Sequence, residues 1–81
     1  MAREVKFRPD LTDNVLWVHI TQTGEDFNRG EPFQLAAMRA KQWARANGFT
    51  SRVRRISSGC SVDSQNHSTK YRYCYSLKER D

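Results

Sequence analysis

Arginine is the side chain in this chain best equipped to do chemistry. Arg52, Arg54 and Arg55 crowd into NGFTSRVRRIS, residues 47–57, with no acid among them. A guanidinium is a planar fork that makes paired hydrogen bonds to phosphate or carboxylate and keeps its charge at any ordinary pH. Such a cluster points to a polyanion or to an acidic protein surface. Arg39, Lys41 and Arg45 precede it, and Lys70 and Arg72 follow it. These eight cations are the candidate partner- or nucleic-acid-binding set, and one continuous basic surface is expected of them.

The charge is spread unevenly. Residues 1–31 hold four basic and six acidic side chains (−2), and residues 32–81 hold ten basic and three acidic (+7), for a net +5. No acid lies between Glu31 and Asp63. A surface kept basic only for solubility mixes its signs, whereas segregation suits an electrostatic partner.

Other chemistry is poorly supported. Cys60 and Cys74 could pair, bind metal, attack a substrate or stay idle. A hairpin centred near Asp63 sets Cys60 opposite His67 and Cys74 opposite Val53, too far apart for a disulfide. Zinc ligands drawn from the two cysteines, His19 and His67 lack the close paired spacing of zinc motifs. Nothing resembles a nucleophile elbow, a phosphate-binding glycine loop or an oriented acid–base pair. A non-enzymatic protein without metal or cofactor is expected, with idle thiols.

The elements that must carry the cations are legible. The 81 residues suit one domain, 1–81, with nine aromatics to fill a thin core. REVKFR (3–8) alternates as an edge strand stopped by Pro9, within a 1–14 edge-and-turn segment. VLWVHITQ (15–22) reads as a strand with Leu16, Val18 and Ile20 on one face and Val15, Trp17 and His19 on the other. His19 reads as a half-exposed sheet residue. QTGEDFNRGEP is turn chemistry, with a brief strand at Phe27 between Gly24 and Gly30.

The spacing of Phe33, Ala36, Ala37, Ala40, Trp43 and Ala44 predicts a helix over 32–47, opened by Pro32 and stopped by Gly48. A strand over 49–57 follows, with a bulge near Arg54–Arg55 returning Val53 and Ile56 to the core. Residues 58–69 read as a polar loop or long hairpin end. KYRYCYSL (70–77) alternates cleanly, and its Tyr71, Tyr73, Tyr75 and Leu77 are assigned to the core opposite the small alanines. Stacking of Tyr71 or Tyr73 on unpaired bases stays open as the alternative. Residues 78–81 are expected to fray. The fold class is α+β: a small antiparallel sheet of three to five strands with one helix on one face.

LWVHI (16–20), then QWARANGF (42–49), then RVR (52–54) resembles the phage-encoded inhibitor of bacterial RNA polymerase. In that family a strand carrying an aromatic precedes a single helix with a Trp, and Gly-Phe leads into a strand with an R-V-R triplet. The resemblance covers residues 15–56. It implies that Arg52 and Arg54 contact a polymerase. The chain departs from the family in its basic helix, longer N-terminus and Tyr-rich last strand. Several anti-CRISPR proteins are similar in size and element order.

Together these readings lead to an expectation. The chain is a small phage- or mobile-element-encoded protein of the bacterial host cytoplasm. Its Arg-rich face docks on a host nucleic-acid machine, an RNA polymerase or CRISPR-type complex, and inhibits it. The alternative is a module that binds DNA or RNA directly through the same cations. No membrane role is expected, and the chain would be a monomer or a dimer joined at a sheet edge.

Overall fold

A computed structural model describes residues 3–23 and 30–79. It is α+β: strands β1 (Arg3–Asp10) and β2 (Val15–Thr23), helix α1 (Gly30–Ala46), then strands β3 (Arg54–Asp63) and β4 (Ser68–Ser76). The four strands form one antiparallel sheet in the order β1-β2-β4-β3. The expected strand at Phe27 lies outside the described residues.

Period-two alternation decides what each sheet face carries. Leu16, Val18 and Ile20 of β2 are buried under α1, and so are Tyr71, Tyr73 and Tyr75 of β4; Gln22, on the same face of β2, is buried too. Register pairs Leu16 with Tyr75, Val18 with Tyr73 and Ile20 with Tyr71, so each aliphatic side chain of β2 sits beside a ring. Val5 and Phe7 of β1 extend this layer.

The helix lies close because its inner ridge is nearly smooth. Ala36, Ala40 and Ala44 are 0% exposed, following Pro32 at four-residue intervals. Leu35 and Trp43 flank the ridge, and Trp43 stacks between Phe7 (6.4 Å) and Phe49 (6.2 Å). Phe33 stays 40% exposed, with its ring edge-on to Tyr73 at 6.0 Å. The helix stops as its sequence requires. Gly48 adopts φ +88°, and the Phe49 amide donates to the Ala44 carbonyl at 2.9 Å, closing the end with a left-handed residue. Burial pushes the Tyr75 hydroxyl up to about 12.

Four expectations need correction. Pro9 does not end β1. It pairs with Leu16 inside the strand, which an edge position tolerates because the missing N–H leaves no inner ladder unsatisfied. The third strand starts at Arg54 and runs through SGCSVD, so this segment is strand rather than loop. The β3–β4 turn centres between Gln65 and Asn66, not at Asp63. The Asp63 carboxylate accepts from the Gln65 amide (3.1 Å) and from Asn66 (3.3 and 2.8 Å), and His67 turns back at φ +48°. Cys60 therefore opposes Tyr71 and Cys74 opposes Ser57. Finally, the bulge falls between Arg55 and Ser57, and it returns Val53 to the core but leaves Ile56 54% exposed.

Residues 78 and 79 are held rather than frayed, and the expectation for 80–81 lies outside the described residues. Thr50 donates to the Lys78 carbonyl at 2.8 Å, and Phe49 bridges to Glu79. The helix–sheet spacing generates a stability test. Ala40→Leu adds bulk at a fully buried position against the sheet and should cost about 1–3 kcal/mol in urea unfolding. Met38→Ala, on the exposed side of the same helix, should stay within about 0.5 kcal/mol.

Candidate functional site: the open face of the sheet

Among the described residues one helix covers one face and no second layer covers the other, which is largely open although Cys74 on it is buried. Reading across the strands, one rung of that face is Lys6, His19, Arg72 and Gly59, and the next is Arg8, Trp17, Cys74 and Ser57. Three cations, two rings and no carboxylate occupy these two rungs. The Trp17 and His19 rings stack along β2 at 6.4 Å and 23°. Lys6 and Arg8 flank them from β1, and Arg72 flanks them from β4, each about 4.8 Å away in the strand-to-strand direction.

Gly59 gives Arg72 its place. A Cβ built at Gly59 would come within 3.3 Å of the Arg72 Nη2, so the guanidinium lies across a backbone with no side chain of its own. At the β1–β2 end the face dips into a concavity of about 780 Å³, lined by Arg8, Asp10, Leu11, Trp17, His19 and Arg72 among others. The Asp10 carboxylate accepts from the Thr12 amide at 3.1 Å and sits on the turn side. Leu11 is an exposed apolar rim.

The rungs beyond these two carry the balancing acids. Glu4 lies 3.5 Å from Lys6, and Lys70 shares its rung with Glu4 and Thr21. Lys70 also contributes to holding the Asp63 carboxyl below its ordinary range, behind the stronger effect of the Asn66 and Gln65 hydrogen bonds. Positive potential is therefore concentrated on Arg8 and Arg72 around the two rings. His19 registers it: partial burial first, then the Arg8 and Arg72 charges, lower its pKa from the usual 6.5. Its ring is neutral at pH 7, free to stack and to exchange one donor and one acceptor.

The eight cations picked out by sequence do not form one surface. Arg54, Lys70 and Arg72 share the open face. Arg39, Lys41 and Arg45 are exposed on the helix, on the opposite side of the molecule. Arg55 points to the helix side and places its guanidinium 4.6 Å from the Phe33 ring centre, a cation–π contact. Arg52 sits in the segment before β3, its amide donating to the Thr50 hydroxyl at 3.3 Å. The split has a simple cause: neighbouring residues of a strand face opposite ways, so Arg54 and Arg55 part company.

Sequence reading passed over Lys6, Arg8, Trp17 and His19 as site residues. The signal was in VLWVHI, where two rings alternate with three core aliphatics. Rings on the face that no helix covers invite a stacking partner. Tyr71 and Tyr73 belong to the core. Cys74 is buried, and burial pushes its thiol up, away from the thiolate form; Cys60 is exposed. No cluster of three metal-ligating side chains occurs among the described residues, and no helix there is long and apolar enough to cross a membrane.

Comparison with known proteins finds no matching family model, no matching curated relative and no matching solved structure.

An NMR titration checks the electrostatic account. The His19 imidazole should titrate below 6.5 and move upward in both Arg8→Gln and Arg72→Gln. A value unmoved by either change would mean that the two guanidinium groups do not act on this ring.

Proposed function

We propose that this chain is a non-enzymatic module that binds single-stranded nucleic acid on its open sheet face. The observation behind the proposal is the two-rung arrangement of Trp17 and His19 between Lys6 and Arg8 on one side and Arg72 on the other. Unpaired bases stack on aromatic rings whatever their identity, while flanking cations take the phosphates. A duplex hides its base faces, so it would use the cations and not the rings. Arg54 and Lys70 lie on the same face at its outer rungs, where Asp10 and Glu4 offset them and leave the centre as the cationic part. The half-buried rings already stack on one another along β2, so little side-chain freedom is lost when a base arrives.

Binding would also respond to pH. A phosphate beside His19 opposes the two guanidinium groups and raises the imidazole pKa. The complex then takes up a proton, so affinity rises as pH falls from neutrality through the window between the bound and free values.

A second reading has its own observation. Val53 is half-buried against the core, which fixes Arg52 and Arg54 on either side of it next to exposed Ile56. That triplet is the element that resembles the R-V-R of the polymerase inhibitors, and it could dock on an acidic protein surface of a host machine. A pull-down from nuclease-treated bacterial lysate tests this. RNA polymerase or a CRISPR-type complex retained by the native protein and lost with Arg52→Glu plus Arg54→Glu would favour docking.

For the main reading the measurement is a salt titration with short single-stranded oligonucleotides. Arg72→Gln should lower the slope of log K against log salt by about 0.7. Trp17→Ala should weaken single-strand binding by about 1–3 kcal/mol and leave duplex binding nearly unchanged. Arg39→Gln, on the helix, should do neither. Equal losses from Arg39→Gln and Arg72→Gln, with Trp17→Ala silent, would defeat the proposal.

A further inference from the structure

The two edges of the sheet are built differently. β1 carries Arg3, Glu4, Lys6, Arg8 and Asp10 together with Pro9, the devices that keep an edge from pairing with another chain. β3 carries charge only at its ends. Its interior, ISSGCSV (56–62), has no charge and no proline. Ile56 and Val62 are 54% and 65% exposed, large apolar side chains facing water on an edge that no other described strand pairs. The helix rests on β2 and β4, so the inner side of β3 stays open beside it as a trough of about 410 Å³ floored by Ser58, Cys60, Tyr71 and Tyr73.

We propose that β3 pairs antiparallel with β3 of a second copy of this chain, about a twofold axis at Gly59, joining the two four-stranded sheets into one. The strand is self-complementary in that register. Ile56 meets the partner's Val62, Ser57 meets the partner's Ser61, and Ser58 meets the partner's Cys60. Side-chain faces agree in the Ser57–Ser61 and Ser58–Cys60 pairs, while Ile56 is the bulge residue and takes no β4 partner. Ser57, Gly59 and Ser61 belong to the open face, and Ser58, Cys60 and Val62 to the helix side, as their pairings with β4 require.

The bulge completes the match. Arg55 and Ile56 together count as one rung against β4, so Arg54 arrives level with the partner's Asp63. Arg54 and Asp63 both lie on the open face, and the twofold makes their pairing twice. A perpendicular twofold keeps both helices on the same side, where the uncovered trough leaves room for the partner's Val62. The two open faces then run on as one.

Sedimentation and cross-linking of the nucleic-acid-free protein test this apart from any binding activity. The native chain should sediment as a concentration-dependent dimer. Cys60 thiols of the two copies should lie on a diagonal about 7–8 Å apart, too far for a disulfide but within reach of a short bismaleimide. Ile56→Lys and Val62→Lys should each abolish dimer and cross-link while leaving the far-ultraviolet circular dichroism unchanged. Met38→Lys, an equally exposed site on the helix, should leave both intact. A native chain that stays monomeric at every concentration, or a dimer that survives both lysine variants, would overturn the proposal.

Discussion

A single helix can cover only one face of a four-stranded sheet, and every other feature follows from how that cover is made. The contact is alanine against aromatic: Ala36, Ala40 and Ala44 on α1 over Tyr71, Tyr73 and Tyr75 on β4 with Leu16, Val18 and Ile20 on β2. Small residues on the helix let the rings stand upright between the two layers, so a chain of 81 residues fills its core with few large side chains. Burying the tyrosines this way commits their rings to the helix side of the sheet. It also obliges the alternate residues of the same strands, Trp17, His19, Lys70 and Arg72, to face solvent together.

That obligation produces the electrostatics. A basic residue on the sheet cannot choose its neighbours independently, because cross-strand register sets them. Lys6, His19 and Arg72 fall on one rung, and Arg8 and Trp17 on the next. The acids Glu4, Asp10 and Asp63 fall on outer rungs and leave the centre cationic. Partial burial first, and then the Arg8 and Arg72 charges, lower the His19 pKa within that arrangement. Arg55 shows the converse case. One residue from Arg54 it lies on the other face, where the Phe33 ring rather than a phosphate is within reach.

The sheet also sets the chain's two boundaries with its surroundings. β1 is closed by charge and proline, while β3 offers an uncharged interior with its apolar side chains in water. In the proposed pairing of two copies, strand polarity and the bulge at Ile56 set which ends of β3 match, because they place Arg54 and Asp63 on the same face at opposite ends. An open cationic face and an unguarded edge are thus products of one layer arrangement.

Much of this was readable from residue order. The alternation of VLWVHITQ and KYRYCYSL, the alanine-rich spacing after Pro32 and the stop at Gly48 each depend on neighbours within a few positions, so they named the helix, two strands and most of the core. Strand ends were less legible. Pro9 inside β1 and the run of β3 through SGCSVD depend on pairing with β2 and β4, and a polar edge strand reads locally like a loop. The turn at Gln65–Asn66 depends on which of several polar residues caps it, and Asp63 does so through three hydrogen bonds. Composition determined that the chain is cationic and that its arginines are concentrated after residue 31. Only the tertiary structure decided that those arginines divide between two sides, and that Arg72 joins Lys6, Arg8, Trp17 and His19. Local spacing fixes the face a side chain takes within its own strand, whereas register between strands distant in the chain fixes its company.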